Sequence, residues 1–242
     1  MHRSLPLRGV SVVAVLLLGA LFAPAQDVKP LLPRNTTAQQ ADLIARLDKV
    51  IKPGEAVLLQ NTTMHDLVRF LSSWMGVSVA LVTDEYWGQE MSVSVKDMTM
   101  DAVLRMLVGP RGNYAVVGNC ICVGSSQDVQ AVFSKTRIAA ASLSEEDKEL
   151  LASLEEKRIT ISFISADPVT ALHMTARQAH CRAVVDEIAA INAVPHVAVS
   201  LRDVAFSTAL RVMCGPDLNC GIRDGTIYVS TDEGLKKMMG RK

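Results

Sequence analysis

Aromatic side chains are scarce in this sequence: 4% of 242 residues, with two tryptophans, three tyrosines and five phenylalanines. Few large contact anchors are therefore available to an interface. Charge of one sign is lacking too, since 25 Lys and Arg balance 25 Asp and Glu. Without a basic excess to neutralise phosphates, nucleic acid is not an expected partner. There is no Gly-x-Ser-x-Gly elbow and no glycine-rich phosphate loop, so the acyl-transfer and phosphate-binding signatures of those kinds are excluded. Beyond the N-terminus, no apolar stretch approaches the length a membrane span needs. What is plentiful is apolar matter. At 49% hydrophobic and 21% charged, the chain is not a disordered polyelectrolyte, because burial can offset the entropy of ordering.

Part of that apolar content is expected to be removed. Arg3 and Arg8 form a positive start, residues 10–22 form an apolar run broken by Ser11 and Gly19, and Ala23-Pro24-Ala25 offers a small-x-small cleavage site before Gln26. Residues 1–25 therefore read as a secretory signal. The alternative, a retained membrane anchor, needs about 20 apolar residues. Cleavage leaves 217 residues with 23 cations against 25 acids and no integral membrane span.

The remainder contains an internal repeat. Residues 91–125 overlie residues 197–231 at a constant offset of 106: Val93 meets Val199, Asp97 meets Asp203, Leu104-Arg105 meets Leu210-Arg211, and Gly109-Pro110 meets Gly215-Pro216. Upstream, Asp66-Leu-Val-Arg-Phe-Leu71 is set against Asp167-Pro-Val-Thr-Ala-Leu172, each ahead of a short apolar strand at 77–82 or 181–185.

Within a copy, strand and helix periods alternate. The first predicts strands at 56–60, 77–82, 91–96, 114–117 and 120–124, with helices over 64–74 and 99–108. Met91, Val93 and Val95 alternate with Ser92, Ser94 and Lys96, the pattern of a half-buried strand. Gly109-Pro110 stops the second helix. The second copy predicts strands at 158–163, 181–185, 196–201, 220–223 and 226–230, with helices over 167–178 and 206–214. Asp167 with Pro168 suits a helix start, and Asp224-Gly225 a two-residue hairpin.

The expected fold class is thus α+β: two tandem small domains, each β-α-β-β-α-β-β with its own core, joined by a helical linker. The divisions are a signal at 1–25, an extension with an amphipathic helix over 36–51 within 26–53, a first repeat at 54–125, a helical linker at 126–157, a second repeat at 158–231 and a tail at 232–242. In the linker, residues 144–157 carry a stripe of Leu150, Leu151 and Leu154 behind a cap at Ser144 and Asp147.

Each copy resembles the short N-terminal (STN) domain shared by outer-membrane secretins and TonB-dependent receptors. In the second copy the resemblance is carried by Ile159-Thr-Ile-Ser-Phe-Ile-Ser-Ala-Asp-Pro-Val-Thr-Ala-Leu-His, Val197-Ala-Val-Ser-Leu-Arg-Asp-Val-Ala-Phe-Ser-Thr-Ala-Leu-Arg-Val-Met and Asp224-Gly-Thr-Ile-Tyr-Val-Ser. In the first copy it is carried by Val93-Ser-Val-Lys-Asp-Met-Thr-Met-Asp-Ala-Val-Leu-Arg-Met-Leu and Cys120-Ile-Cys-Val. It covers roughly two thirds of the chain after the signal and implies a periplasmic interaction role without enzymatic activity. The 242 residues hold neither a pore-forming region nor a receptor barrel, so the expectation is an accessory or adaptor protein rather than a channel. Its implied partner is a secretin, pilus or TonB-linked component, through which the chain associates with the outer membrane. The alternatives are a periplasmic ligand- or metal-binding protein, a small hydrolase reusing the fold, or an envelope-signalling module.

No catalytic residue, cofactor or metal site is expected. His173, His180, Cys181 and His196 match no compact zinc spacing. Cys120 and Cys122 share one face of a strand and read as small buried residues. Cys214 and Cys220 are candidate disulfide partners across a short helix-to-strand link, with Cys181 as a competitor. Tyr86 and Trp87, beside Asp84-Glu85 on an expected loop, are candidate partner contacts; packing over the core is the other reading.

Overall fold

Most helix starts follow single side chains. A computed structural model describes residues 30–33, 36–82, 90–135, 144–194 and 196–240, so the expected signal lies outside the described residues. Thr37 and Gln40 close a reciprocal capping box at α1 (Ala38–Leu47). Helix α1 ends short of the expected residue 51, because Met100 N–H donates to the Lys49 carbonyl and Ile51 N–H to the Met98 carbonyl. Those backbone groups are thereby taken from the helix.

The first repeat region holds β1 (Ala56–Thr63), α2 (Met64–Met75), β2 (Ser78–Leu81), β3 (Glu90–Lys96), α3 (Met100–Val108), β4 (Gly112–Val117) and β5 (Cys120–Ser125). Thr63 and Thr99 cap α2 and α3. The expected linker is two helices, α4 (Ser126–Ser134) and α5 (Glu145–Glu156), the latter capped by Ser144 as predicted.

The second region holds β6 (Arg158–Ala166), α6 (Pro168–Gln178), β7 (Arg182–Val185), α7 (Glu187–Ala193), β8 (Val197–Ala205), α8 (Phe206–Met213), β9 (Asn219–Arg223) and β10 (Thr226–Ser230). Asp167 caps α6 with Pro168 at its first position. The expected tail forms α9 (Asp232–Gly240). Helix α7 replaces an expected loop; only Ala190 of it is buried, so its sequence carries no core-facing stripe. Among the described residues no helix is long and apolar enough to cross a membrane.

Strand pairing repeats between the two regions. Strand β1 pairs antiparallel with β3, and β6 with β8; Leu59 meets Val93 where Phe163 meets Val199, and the same irregularity follows in both, before Thr62 and Ala166. Strand β2 pairs parallel with β5, and β7 with β10, with Val79 opposite Ile121 as Ala183 is opposite Ile227. Antiparallel hairpins β4–β5 and β9–β10 complete the two patterns. Left-handed backbone recurs at matching places: Asn61 and Ser165, Gly76 and His180, Asp97 and Asp203, Gly109 and Gly215, Gly118 and Asp224.

These landmarks correct the alignment of the first helices. Their matching caps, Thr63 and Asp167, and the matching Gly76 and His180 set the offset at 104, three residues from the sequence alignment. Three residues approach one helical turn, so an apolar stripe nearly re-registers and sequence similarity alone does not separate the two alignments.

A further correction concerns the cores. Strand β2 also pairs antiparallel with β8, giving one five-stranded sheet in the order β4-β5-β2-β8-β6. Alternate residues of this sheet enter different cores. Val79, Leu81, Tyr114, Ile121 and Ala198 join the first region's cluster, whereas Ala80, Ala115, Cys122 and Val199 join a larger cluster built mainly from the second. The expected self-contained cores are thus one first-region core and one shared core, because a sheet with both faces covered must contribute side chains to each.

Candidate functional site

The β2–β8 junction shows what a strand edge of this fold accepts. Val79, Ala80 and Leu81 lie opposite Ser200, Val199 and Ala198. Ser78 Oγ accepts from Arg202 N–H at 2.9 Å and donates to the Arg202 carbonyl at 3.3 Å. The buried Ser72 hydroxyl, on α2, faces the Val77 carbonyl at 2.6 Å and the Ser200 carbonyl at 3.4 Å. Asn119 Nδ2 donates to the Asp203 carbonyl at 3.0 Å. Small or hydroxyl side chains on β2 let the backbones meet and satisfy the end of the ladder.

The equivalent edges elsewhere are open. Among the described residues, β7 pairs only with β10, and β3 only with β1. Strand β7 presents Arg182 and Val184 to solvent, and β3 presents Ser92, Ser94 and Lys96. On α7, which follows β7 in the chain, Ile188 is 76% exposed and Ile191 53%. Open edges offer backbone donors and acceptors to another strand.

A cleft of about 940 Å³ lies between the start of α1, the 118–119 turn, α5 and α8. Cys214 and Cys220 line it, as does Lys135. The two thiols, both buried, are brought together with sulfurs 3.4 Å apart and stand as free cysteines. Their mutual hydrogen bond, then burial, pushes the Cys220 thiol up, which disfavours a reactive thiolate. Lys135 Nζ donates to the Gly215 carbonyl at 2.8 Å and to the Leu218 carbonyl, while burial pulls its ammonium down from the usual lysine range. Arg211 donates through Nε to the Val132 carbonyl at 2.9 Å and through its other nitrogen to the Phe133 carbonyl. These two cations bind backbone carbonyls at helix and loop ends and so brace the cleft wall.

The remaining candidates are dispersed. His173 and His180 are exposed, and Cys181 Sγ accepts from Lys157 Nζ at 3.2 Å. His196 lies instead near His65, whose imidazolium is disfavoured first by burial and also by the charge of His196. Among the described residues, no three His, Cys, Asp or Glu side chains are grouped to hold a metal. Cys120 and Cys122 are fully buried in the shared core. Tyr86, Trp87 and the Asp84-Glu85 pair lie outside the described residues.

Two features were missed from sequence. The bracing role of Lys135 had no motif to mark it. The junction did leave a trace: β8 reads Val-Ala-Val-Ser-Leu where β3 alternates cleanly, the mark of a strand covered on both faces.

No family model, curated protein or solved structure matches this chain.

Proposed function

We propose that this chain is an exported, non-enzymatic interaction module with two tandem copies of a secretin/TonB-type short domain, the first β-α-β-β-α-β-β in order and the second the same with α7 inserted between its second and third strands. In this reading the signal at residues 1–25 directs it to the periplasm, where it serves as an adaptor for a secretin, pilus or TonB-linked component at the outer membrane. The repeated pairing register carries the reading: β1–β3, β2–β5 and β4–β5 recur as β6–β8, β7–β10 and β9–β10. The chemistry suits recognition by strand addition, in which backbone hydrogen bonds supply affinity and alternate side chains supply choice. The β2–β8 junction is an internal example of such an addition.

Affinity capture of the C-terminally tagged protein from envelope extract is the test. Recovery of a secretion, pilus or TonB-linked component is expected, and an N-terminus at Gln26 on the purified protein. Repeated recovery of no such component overturns the adaptor reading, and an intact N-terminus overturns cleavage.

A further inference from the structure

We infer that β7 of one copy of this chain pairs antiparallel with β3 of a second copy, in the register of the internal β2–β8 junction. The argument is one of equivalence between edges. Strand β7 stands to β10 as β2 stands to β5, and β3 stands to β1 as β8 stands to β6. The chain already joins the first member of one such set to the second member of the other, through β2 and β8. The two edges left over, β7 and β3, are the same pair of surfaces. They sit on opposite regions of the chain and serve a second copy instead of the same one.

Transferring the internal register places Ala183 opposite Ser94, Val184 opposite Val93, and Val185 opposite Ser92. The contact is head-to-tail, so a joined pair still has one free β7 and one free β3, and the array grows or closes into a ring. Val184, 42% exposed in the single chain, becomes covered as Ala80 is covered at the internal junction.

The external contact is weaker than the internal one, and the substituted residues say why. Arg182 stands where β2 has Ser78, and Lys96 stands where β8 has Arg202. Ser78 bonds the backbone of Arg202, whereas Arg182 brings a second cation toward Lys96. Charged edge residues restrain strand addition, and salt screens their repulsion. Association between copies therefore rises with protein concentration and with ionic strength.

This inference rests on the two regions being copies; it does not rest on export or on an envelope partner, and a failed envelope capture leaves it standing. Light scattering on the purified exported protein is expected to show mass increasing with concentration and salt. Arg182→Ser, which restores the β2 residue, is expected to strengthen association severalfold, and Val184→Glu to abolish it with the circular dichroism unchanged. For geometry, Val184→Cys and Val93→Cys proteins, each in a Cys181→Ser background, are mixed under mild oxidant. A cross-linked dimer is expected in the mixture and in neither protein alone. A monomer mass for both wild type and Arg182→Ser at the highest attainable concentration and salt overturns the inference. Equal cross-linking within the Val184→Cys protein alone does so too, since that is a symmetric contact.

Discussion

Strands β2 and β7 occupy the same place in two patterns with the same register, yet all four residues of β2 are buried while only Val185 of β7 is. Their partners differ likewise: β8 is buried from Val197 through Leu201, whereas β3 buries only Val95. The backbone geometry is common to both. What separates a joined edge from an open one is the side-chain set, Ser78 and Ala80 against Arg182 and Val184, and Ala198 against Ser92. The same pairing pattern thus stands at an internal joint and at an open edge, with a few residues different.

The sharpest way to break this comparison is a charge at each edge. Ala80→Arg places a cation between β5 and β8 at a position with no exposure and is expected to destabilise by about 3–5 kcal/mol or prevent folding, as an unpaired buried charge does. Val184→Arg at the open edge is expected to change stability by less than about 0.5 kcal/mol. Urea denaturation of both proteins checks it, and equal losses break the distinction.

Next in size are the matched core leucines. Leu104→Ala and Leu210→Ala, both at fully buried positions, are each expected to lose about 2–5 kcal/mol. The shared sheet predicts that either substitution moves one cooperative transition. Two separable transitions on the denaturation curve mean that the regions unfold independently.

An asymmetry comes from the thiols. Val108 and Tyr114 hold the first region's places for Cys214 and Cys220, so oxidation is expected to stabilise through the second region alone. Closing the bond is worth about 2–3 kcal/mol on the chain-entropy account. Thiol titration of denatured protein is expected to fall from five groups to three after oxidation, and to stay at three in Cys214→Ser/Cys220→Ser under either condition.

The turns offer a smaller contrast. A Cβ on Gly118 would lie 2.4 Å from Thr208 Oγ1, in a left-handed residue at the contact between regions. Gly118→Asp, copying Asp224, is expected to cost about 1–3 kcal/mol, whereas Asp224→Gly is expected to cost less than about 1 kcal/mol. Thermal unfolding of the two variants measures the difference.

The smallest effect is a pH dependence at the second hairpin. Asp147 on α5 accepts from Gly225 N–H at 2.9 Å, and that bond chiefly holds its carboxyl below the usual carboxylate value of 3.8. A depressed folded pKa stabilises above the unfolded value, and the stabilisation disappears as pH falls through the folded one. Acid melting curves are therefore expected to steepen below about pH 3.8, and Asp147→Asn to flatten that part of the profile.

Much of this molecule is legible locally. Thr63, Thr99, Ser144 and Asp167 mark helix starts, Gly109 a helix end and Asp224-Gly225 a hairpin, because each acts on backbone groups within a few residues. Helices α7 and α9 escape such reading, since Ala190 and Leu235 are their only buried residues and no apolar period forms. The candidate site was legible only in part. Cys214 and Cys220 are near in sequence and meet across one loop, whereas Lys135 reaches Gly215 from 80 residues away.

The amino-acid sequence by itself determined the segment match at an offset of 106, several helix starts, the closing hairpin and the half-buried alternation of β3. Tertiary structure alone decided that β2 turns to β8 and leaves β7 and β3 open. Caps, turns and periodicity act through neighbours along the chain. A strand edge offers the same backbone groups to any partner, and its choice depends on which distant faces can be buried together.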